Sequence, residues 1–388
     1  MAVIRDVLII GAGLAGSVAA AVLGRTGLNV LIIDRHAIYP PDFRAEQLVD
    51  DQPAALRRLG LLDGIVGKSR RAAGASTACY GKVLHTTHAP HFGLRYDDLV
   101  NAARALATES TFVTGRVARI DPGPEVQSVH LADGTVHQAR LLLVASGPNC
   151  DDLLATAAIG RKMLSAEHSL SFGFDVNTGF RSIIAYQGER AGDGIDYLVF
   201  FPIDGVMRAN LFAYRQMSDP WVKRFREEPK QALLDVMPGL EEAVGSFTIS
   251  GKVQVRPNSI KRAEHAADHA GVVLLGDAYQ TPCPSVGLGV ARALTDVEVL
   301  SRLVPRWLST PGMGPDKISH FYKDPAKSAL DAKAVQTAIY RRALCTQTSL
   351  SWRARRLRVY CTHRGRGMVQ AIRRDPSRAE SALAETAA

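Results

Sequence analysis

The sequence predicts an α/β fold in which a doubly wound domain is interleaved with a β-sheet domain and followed by a helical C-terminal tail. Three observations predict it. Over residues 3–33 an apolar β-type run, a glycine-rich turn, an alanine-rich stretch and a second apolar run follow one another. Residues 168–256 are mostly strand-like, and from about Gly287 onward the pattern is helical and ends rich in arginine.

In chain order, Val3–Ile10 and Asn29–Ile33 are short β-type runs, and Leu14–Arg25 between them is helix-permissive, which makes a β-α-β unit. A helix is expected over 54–62. Residues 76–94 lose helical periodicity and are expected as a strand excursion, after which Tyr96–Ala107 is helical again. Residues 111–144 alternate like an antiparallel meander, with Asp133-Gly134 as hairpin turn and Leu141–Val144 as a buried strand. Strands follow at 169–176, 197–202, 208–214 and 248–255, interrupted by a polar helical stretch near 219–237. Val272–Leu275 is a last buried strand before a glycine-punctuated loop and a helix. No internal repeat or long linker separates the units. The doubly wound domain is therefore expected at 1–75, 95–165 and 266–305, the β-sheet domain at 76–94 and 166–265, and the basic tail at 306–388.

With 388 residues, 46% hydrophobic and 22% charged, the composition excludes a disordered or fibrous chain. No run of about 18 apolar residues occurs, and no basic stretch precedes an apolar one at the N-terminus, so a cytoplasmic protein is expected. Cys79, Cys150, Cys283, Cys345 and Cys361 are scattered and never spaced C-x-x-C, which gives neither a disulfide framework nor a zinc site. Of the net charge of +9, a balance of +8 falls after residue 340, where eleven arginines face Asp375, Glu380 and Glu385. No stacking platform or nucleic-acid motif accompanies that charge, so nucleic acid is not expected as a partner. Arg353, Arg355, Arg356 and Arg358 alternate with Trp352, Leu357, Val359 and Tyr360. Two readings of the tail stay open: a solvated helix covering the doubly wound domain, or peripheral contact with an anionic membrane or apolar partner.

Gly11-Ala12-Gly13-Leu14-Ala15-Gly16 follows a strand and opens a helix, the context a G-x-G-x-x-G dinucleotide motif needs. Gly11 permits the tight turn, Gly13 lets the backbone approach a pyrophosphate, and Gly16 allows close helix-to-strand packing. The helix N-terminus offers unpaired N–H groups to phosphates. Asp34, at the end of the second strand, is placed to accept hydrogen bonds from ribose hydroxyls.

Phe43-Arg44-Ala45-Glu46-Gln47-Leu48 and, above all, Gly276-Asp277-Ala278 followed by Pro284, Gly287 and Gly289 resemble the FAD-dependent aromatic hydroxylases, the class A flavin monooxygenases. The resemblance implies non-covalent FAD bound by Gly11, Gly13, Leu14, Ala15, Gly16, Asp34, Arg35, Arg44, Gln47, Val117, Gly276, Asp277, Pro284, Gly287, Leu288 and Gly289. Arg44 would reach the FAD phosphates or ribose, Asp277 a ribityl hydroxyl, and the Pro284–Gly289 turn the pyrimidine edge of the flavin. It further implies a monooxygenase that uses O2, through a flavin C4a-hydroperoxide, to oxygenate a small aromatic or lipidic substrate. No catalytic side chain is assigned beyond Pro284 near the flavin. Phe172, Phe174, Phe200, Phe201 and Phe212 are candidate pocket walls.

The sequence departs from the family at its middle motif, A-D-G-x-x-S-x-x-R. Here Ala145-Ser146-Gly147-Pro148-Asn149-Cys150-Asp151-Asp152-Leu153 lacks the aspartate, serine and arginine. Direct reduction by NAD(P)H is therefore expected to be slow, with efficient turnover depending on a reductase partner, freely diffusing reduced flavin or a substrate that opens access to the flavin. Tyr96 also replaces a residue that usually approaches the FAD phosphates. Two rivals remain: a flavin-dependent reductase of the geranylgeranyl-reductase type and a non-catalytic flavin-binding protein. His85, His88 and His91 lack the spacing of a metal site, and no metal is expected. No G-x-S-x-G surrounds a serine, and Trp307 lacks the W-x-W-x-I-P context of tryptophan halogenases.

Overall fold

The computed structural model describes residues 3–374 except Asp50, Lys68 and Asp204; the part of the expected tail beyond 374 lies outside the described residues. The chain begins β1 (Ile4–Ile10), α1 (Leu14–Gly24), β2 (Val30–Asp34), β3 (Ala45–Leu48), α2 (Gln52–Arg58) and α3 (Leu62–Val66). It continues through β4 (Arg70–Ala72), β5 (Ala75–Cys79), β6 (Lys82–Thr87), β7 (His91–Arg95) and α4 (Tyr96–Ala105). β8 (Thr111–Thr114), β9 (Val117–Asp121), β10 (Gln127–Leu131), β11 (Val136–Val144) and α5 (Asp151–Thr156) follow. Then come β12 (Arg161–Thr178), β13 (Ile183–Gln187), β14 (Ile195–Ile203), β15 (Val206–Ala213), α6 (Pro220–Glu227), α7 (Pro229–Val236) and α8 (Leu240–Val244). The last elements are β16 (Phe247–Ala263), β17 (Val272–Leu274), α9 (Gly289–Leu308), α10 (Pro315–Tyr322), α11 (Pro325–Thr346) and α12 (Leu350–Arg374).

These elements form two compact units. The first comprises residues 1–69, 94–168 and 258–338. Its sheet has the order β8-β2-β1-β11-β10-β9, with β17 also on β11. β8, β2, β1, β11 and β17 run parallel, because each connection passes through a crossover rather than a hairpin. Val7–Ile10 and Val30–Ile33 are all buried, as strands covered on both faces require.

The second unit comprises 70–93, 169–257 and 339–388. Its sheet has the order β16-β12-β15-β14-β13-β5-β6. One face carries Phe172, Phe174, Ile184, Tyr186, Leu198, Phe200, Ala209 and Leu211 into a core with Phe225, Leu233, Val236 and Leu240 of α6–α8.

The structure corrects three local expectations. The helix expected at 54–62 is two helices, because Gly60 takes φ +69° after α2. The meander expected from residue 111 is antiparallel only over β9–β11; β8 instead pairs parallel with β2, since its partner is the distant strand rather than its neighbour. The region expected as one tail is divided, with residues up to 338 clustering in the first unit and α12 in the second.

Candidate functional site

The glycine-rich turn is shaped by close approach. Gly11 has φ +95°, and a Cβ there would lie 2.6 Å from the Ala145 carbonyl oxygen. A Cβ on Gly16 would lie 1.9 Å from the Gly11 oxygen, so α1 packs on the turn only with glycine at both positions. Gly13 differs: it caps α1 in an extended conformation, no side chain caps the helix, and no atom lies within 4 Å of where its Cβ would stand. The N–H groups of Leu14, Ala15 and Gly16 in the first turn thus lack intrahelical partners and have an approach free of side chains at Gly13. Such an arrangement can receive a pyrophosphate.

Asp34 ends β2 and closes the turn. Its Oδ2 accepts from the Ala12 N–H (2.7 Å) and its Oδ1 from the His36 N–H (2.9 Å). A carboxylate has lone pairs beyond these two for ribose hydroxyls. Arg35 beside it is exposed. Arg104 of α4, unmarked by any motif, braces the same loop. Its Nε donates to the Ala12 oxygen (2.7 Å), its Nη1 to the His36 oxygen (2.6 Å), and its Nη2 lies 3.4 Å from Asp34. Its only sequence signal is a position next to the buried helix stripe of Leu99, Val100 and Ala103.

Arg44 is held within the protein: Nη2 donates to Asp42 (2.6 Å) and to the Tyr39 hydroxyl (2.7 Å), and the guanidinium stacks 3.8 Å over the Tyr96 ring. Tyr96 thus packs against the Arg44 guanidinium. Burial pushes the Glu46 carboxyl up to about 7; Arg44 opposes this, and Asp277 and Asp42 reinforce it. The segment from Arg44 into β3 and the Gly276 turn therefore lie within each other's electrostatic reach. Gln52 adds a direct tie, donating to the Gly287 oxygen at 3.1 Å.

After β17, Gly276–Ala278 and Pro284–Val286 are short 3-10 turns. Gly276 and Gly287 take φ +53° and +69°. Pro284 and Gly287 are exposed, Leu288 caps α9, and Gly289 opens it. Val117, at the start of β9, packs against the apolar core of the unit.

The altered middle segment keeps its position beside β1, with the Ala145 N–H donating to the Ile10 oxygen (2.7 Å). Ser146 Oγ donates weakly to that same oxygen (3.3 Å). A guanidinium is nevertheless present, supplied from β12. Arg161 Nη1 donates to the Pro148 oxygen (2.7 Å) and Asp151 (3.0 Å), and its Nη2 to the Asp277 oxygen (3.1 Å) and Thr281 Oγ1 (2.7 Å). Sequence reasoning missed Arg161 because it lies outside the motif, at the start of the next strand.

The five candidate phenylalanines are divided by the pleat. Phe172, Phe174 and Phe200 face the helical core of the second unit, where Phe225 lies 5.2 Å from Phe172 and 5.6 Å from Phe174. They are packing groups, not pocket walls. Phe201 and Phe212 occupy the opposite face, because paired residues across antiparallel strands share a side. There Phe212 meets Tyr197 with ring centroids 5.0 Å apart, and Arg208 pairs with Asp175 at 3.1 Å. Asn210, Val199 and Ser171 share that face by register. His85 stacks on His363, and among the described residues no three potential ligands gather as a metal site.

A family model described as FAD binding domain matches residues 5–310, and the chain belongs to that family, the class A flavin monooxygenases. It is an FAD-dependent oxidoreductase and a monooxygenase; the reductase alternative is not favoured. The chain is 22% identical to squalene epoxidase erg1 of Schizosaccharomyces pombe, over 81% of this chain and 71% of that protein. It is 23% identical to 6-hydroxynicotinate 3-monooxygenase of Bordetella bronchiseptica, over 76% and 82%. In fold it is similar to p-nitrophenol 4-monooxygenase PnpA of Pseudomonas putida, with TM-score 0.74, 16% identity and 95% of both chains covered.

Proposed function

We propose that this monooxygenase oxygenates a small, mainly apolar substrate, aromatic or lipidic, held against the face of β12–β15 that bears Phe201, Phe212 and Tyr197. The observation that carries this reading is the register of that face: Phe201, Phe212 and Tyr197 lie on the side away from α6–α8, with Asn210 and the Arg208–Asp175 pair as sparse polar groups beside them. Such a surface binds by area and orients through few hydrogen bonds. The first unit is the FAD domain in this reading. The first turn of α1 receives the pyrophosphate, Asp34 the ribose, and the Gly276–Gly289 loop the flavin end. Reduced FAD, when bound, supplies the activation of O2. The protein's share is orientation and exclusion of water, which explains why no acid-base pair stands out.

For electrons, we propose a reductase partner, freely diffusing reduced flavin or a substrate that opens access to the flavin rather than direct reduction by NADPH, because Ser146, Cys150 and Leu153 lack the side chains of the family motif and the nearby Arg161 guanidinium is taken up by Pro148, Asp151, Asp277 and Thr281. Two measurements test the reading. Purified protein should carry FAD released by acid, and a panel of aromatic and lipidic compounds should include one that drives O2 consumption with equimolar oxygenated product. Colourless protein that takes up no FAD overturns it. Anaerobic stopped-flow then tests the electron source: bleaching by NADPH at about 10 per second, an ordinary turnover rate, excludes the need for a partner.

A further inference from the structure

α12 is a basic helix with two opposed faces. Trp352, Arg356, Val359, His363, Gly367 and Gln370, spaced by three or four residues, are the half-buried positions of one face. That face rests on β6: His363 Nδ1 meets His85 Nε2 at 2.8 Å, Gln370 accepts from the Thr86 N–H at 3.3 Å, and a Cβ on Gly367 would lie 1.8 Å from the Leu84 oxygen. The helix is therefore docked, and the direction of its other side is fixed.

Leu350, Ala354, Leu357, Cys361 and Met368 recur at spacings of three, four and seven, which places them in one stripe opposite the docked face. They are exposed; Leu350 and Leu357 are 82% and 62% accessible. A docked helix whose outward stripe is apolar inverts the usual pattern. Arginines border it, with Arg353 and Arg364 on one flank and Arg358 on the other, while Arg355 and Arg366 lie beside the docked face, and no acidic residue occurs in α12. Arg355, Arg358 and Arg366 line a hollow of about 360 Å³ with Tyr340, Thr362 and the docked-face residues Val359 and His363, so this hollow lies to the side of the helix away from the stripe. Guanidiniums on both flanks of an apolar stripe suit the phosphates of an anionic layer that the stripe enters.

We infer that the outer face of α12 is a peripheral membrane-docking surface, with Leu350, Leu357 and Met368 entering the interface of an anionic phospholipid layer and Arg353, Arg358 and Arg364 binding its phosphates. No helix among the described residues is long and apolar enough to cross a membrane, so the contact is with its surface. A second copy joined through the same stripe would bring two arginine-bordered faces together without any counter-charge from α12. Nucleic acid would leave the apolar stripe unused, and Trp352 lies on the docked face.

The test is sedimentation of the FAD-loaded full chain with phosphatidylcholine vesicles, with and without phosphatidylglycerol. Binding is expected only with phosphatidylglycerol, and release is expected in about 1 M salt, where screening acts within about 3 Å. L357D with M368D, and separately R353Q with R358Q and R364Q, should each weaken binding roughly tenfold or more. Both sets lie on an exposed surface, and retained FAD absorption reports that the fold survives; if one set loses FAD, the other decides. Absence of wild-type binding to phosphatidylglycerol vesicles overturns the inference, as does equal binding by both variant sets. Self-association abolished by L357D, without vesicle binding, assigns the stripe to a second copy instead.

Discussion

Lys327 Nζ lies 2.8 Å from Asp296 Oδ1, with both side chains no more than 2% exposed, and the other oxygen of Asp296 accepts the Gly276 N–H at 2.8 Å. The ammonium also sits 4.3 Å from the Tyr279 ring centroid and 4.6 Å from that of Phe321. Asp331 joins the network, 3.1 Å from Lys327 and 2.7 Å from Arg292. Two cations thus balance two anions out of water, and α9 and α11 hold the Gly276 turn through side chains rather than through local sequence.

Lys327→Met is therefore expected to destabilise the protein by about 3–5 kcal/mol, the effect of leaving a buried carboxylate unpaired. Urea unfolding measures it. Adding Asp296→Asn should recover part of the loss, and a double variant no more stable than the single one would show that the pair is not coupled.

The two glycines at the start of α1 should separate fold from binding. Gly16→Ala places a methyl group against the Gly11 oxygen, so loss of both stability and FAD is expected. Gly13→Ala meets no atom within 4 Å and keeps φ −71°, so its melting temperature without FAD should match wild type while FAD affinity falls. Flavin fluorescence titration reads the second effect, and unchanged affinity would remove Gly13 from the pyrophosphate site.

Arg161→Met deletes the guanidinium that joins the Pro148–Asp151 segment to the Asp277–Thr281 turn. A loss of about 1–3 kcal/mol is expected from the stranded buried acceptors. Arg161→Lys should not restore it, because a single ammonium does not span acceptors on both segments. Thermal unfolding and FAD retention are the measurements.

Glu46 carries a carboxyl raised from 4.5 to about 7, chiefly by burial. The native state then binds a proton that the unfolded chain has released, so this residue's contribution to stability is present below about pH 4.5 and declines as pH rises to about 7. Glu46→Gln should remove that slope. Urea midpoints of the two proteins, compared across this range, should diverge in that direction; parallel curves would refute it.

His85 and His363 behave in the opposite sense. Burial lowers both values, Arg366 acts on each, and His85 and Arg341 act further on His363. Their contribution is present above about pH 6.5 and is lost as pH falls through the lowered folded values. Protonation of both rings places two cations at a 2.8 Å contact, so α12 should loosen from β6 as pH falls below the ordinary histidine range. Hydrogen exchange along α12 is expected to accelerate there, and H363Q should blunt the change.

The two glycine-rich segments were legible because their chemistry is local. Positive φ at Gly11, Gly276 and Gly287 and the uncapped start of α1 follow from residues adjacent in the chain. The pairing of β8 with β2 was not legible, since alternation shows a strand but not its partner. Nor could composition tell Phe200 from Phe201, because the choice of face depends on which side α6–α8 cover.

The nucleotide-binding β-α-β unit, the Gly276–Gly289 loop and the basic character of α12 were thus determined by sequence, through backbone geometry and charge that neighbouring residues impose on one another. Tertiary structure alone decided that Arg104 braces the Asp34 loop, that Arg161 stands beside the altered middle motif, and that Lys327 clamps the Gly276 turn. The physical reason is range. A guanidinium or ammonium at the end of a long side chain acts where the fold carries it, and its partners here lie on elements remote in sequence. The same reason governs the apolar stripe of α12, which points outward only because His363 and Gln370 are held on β6.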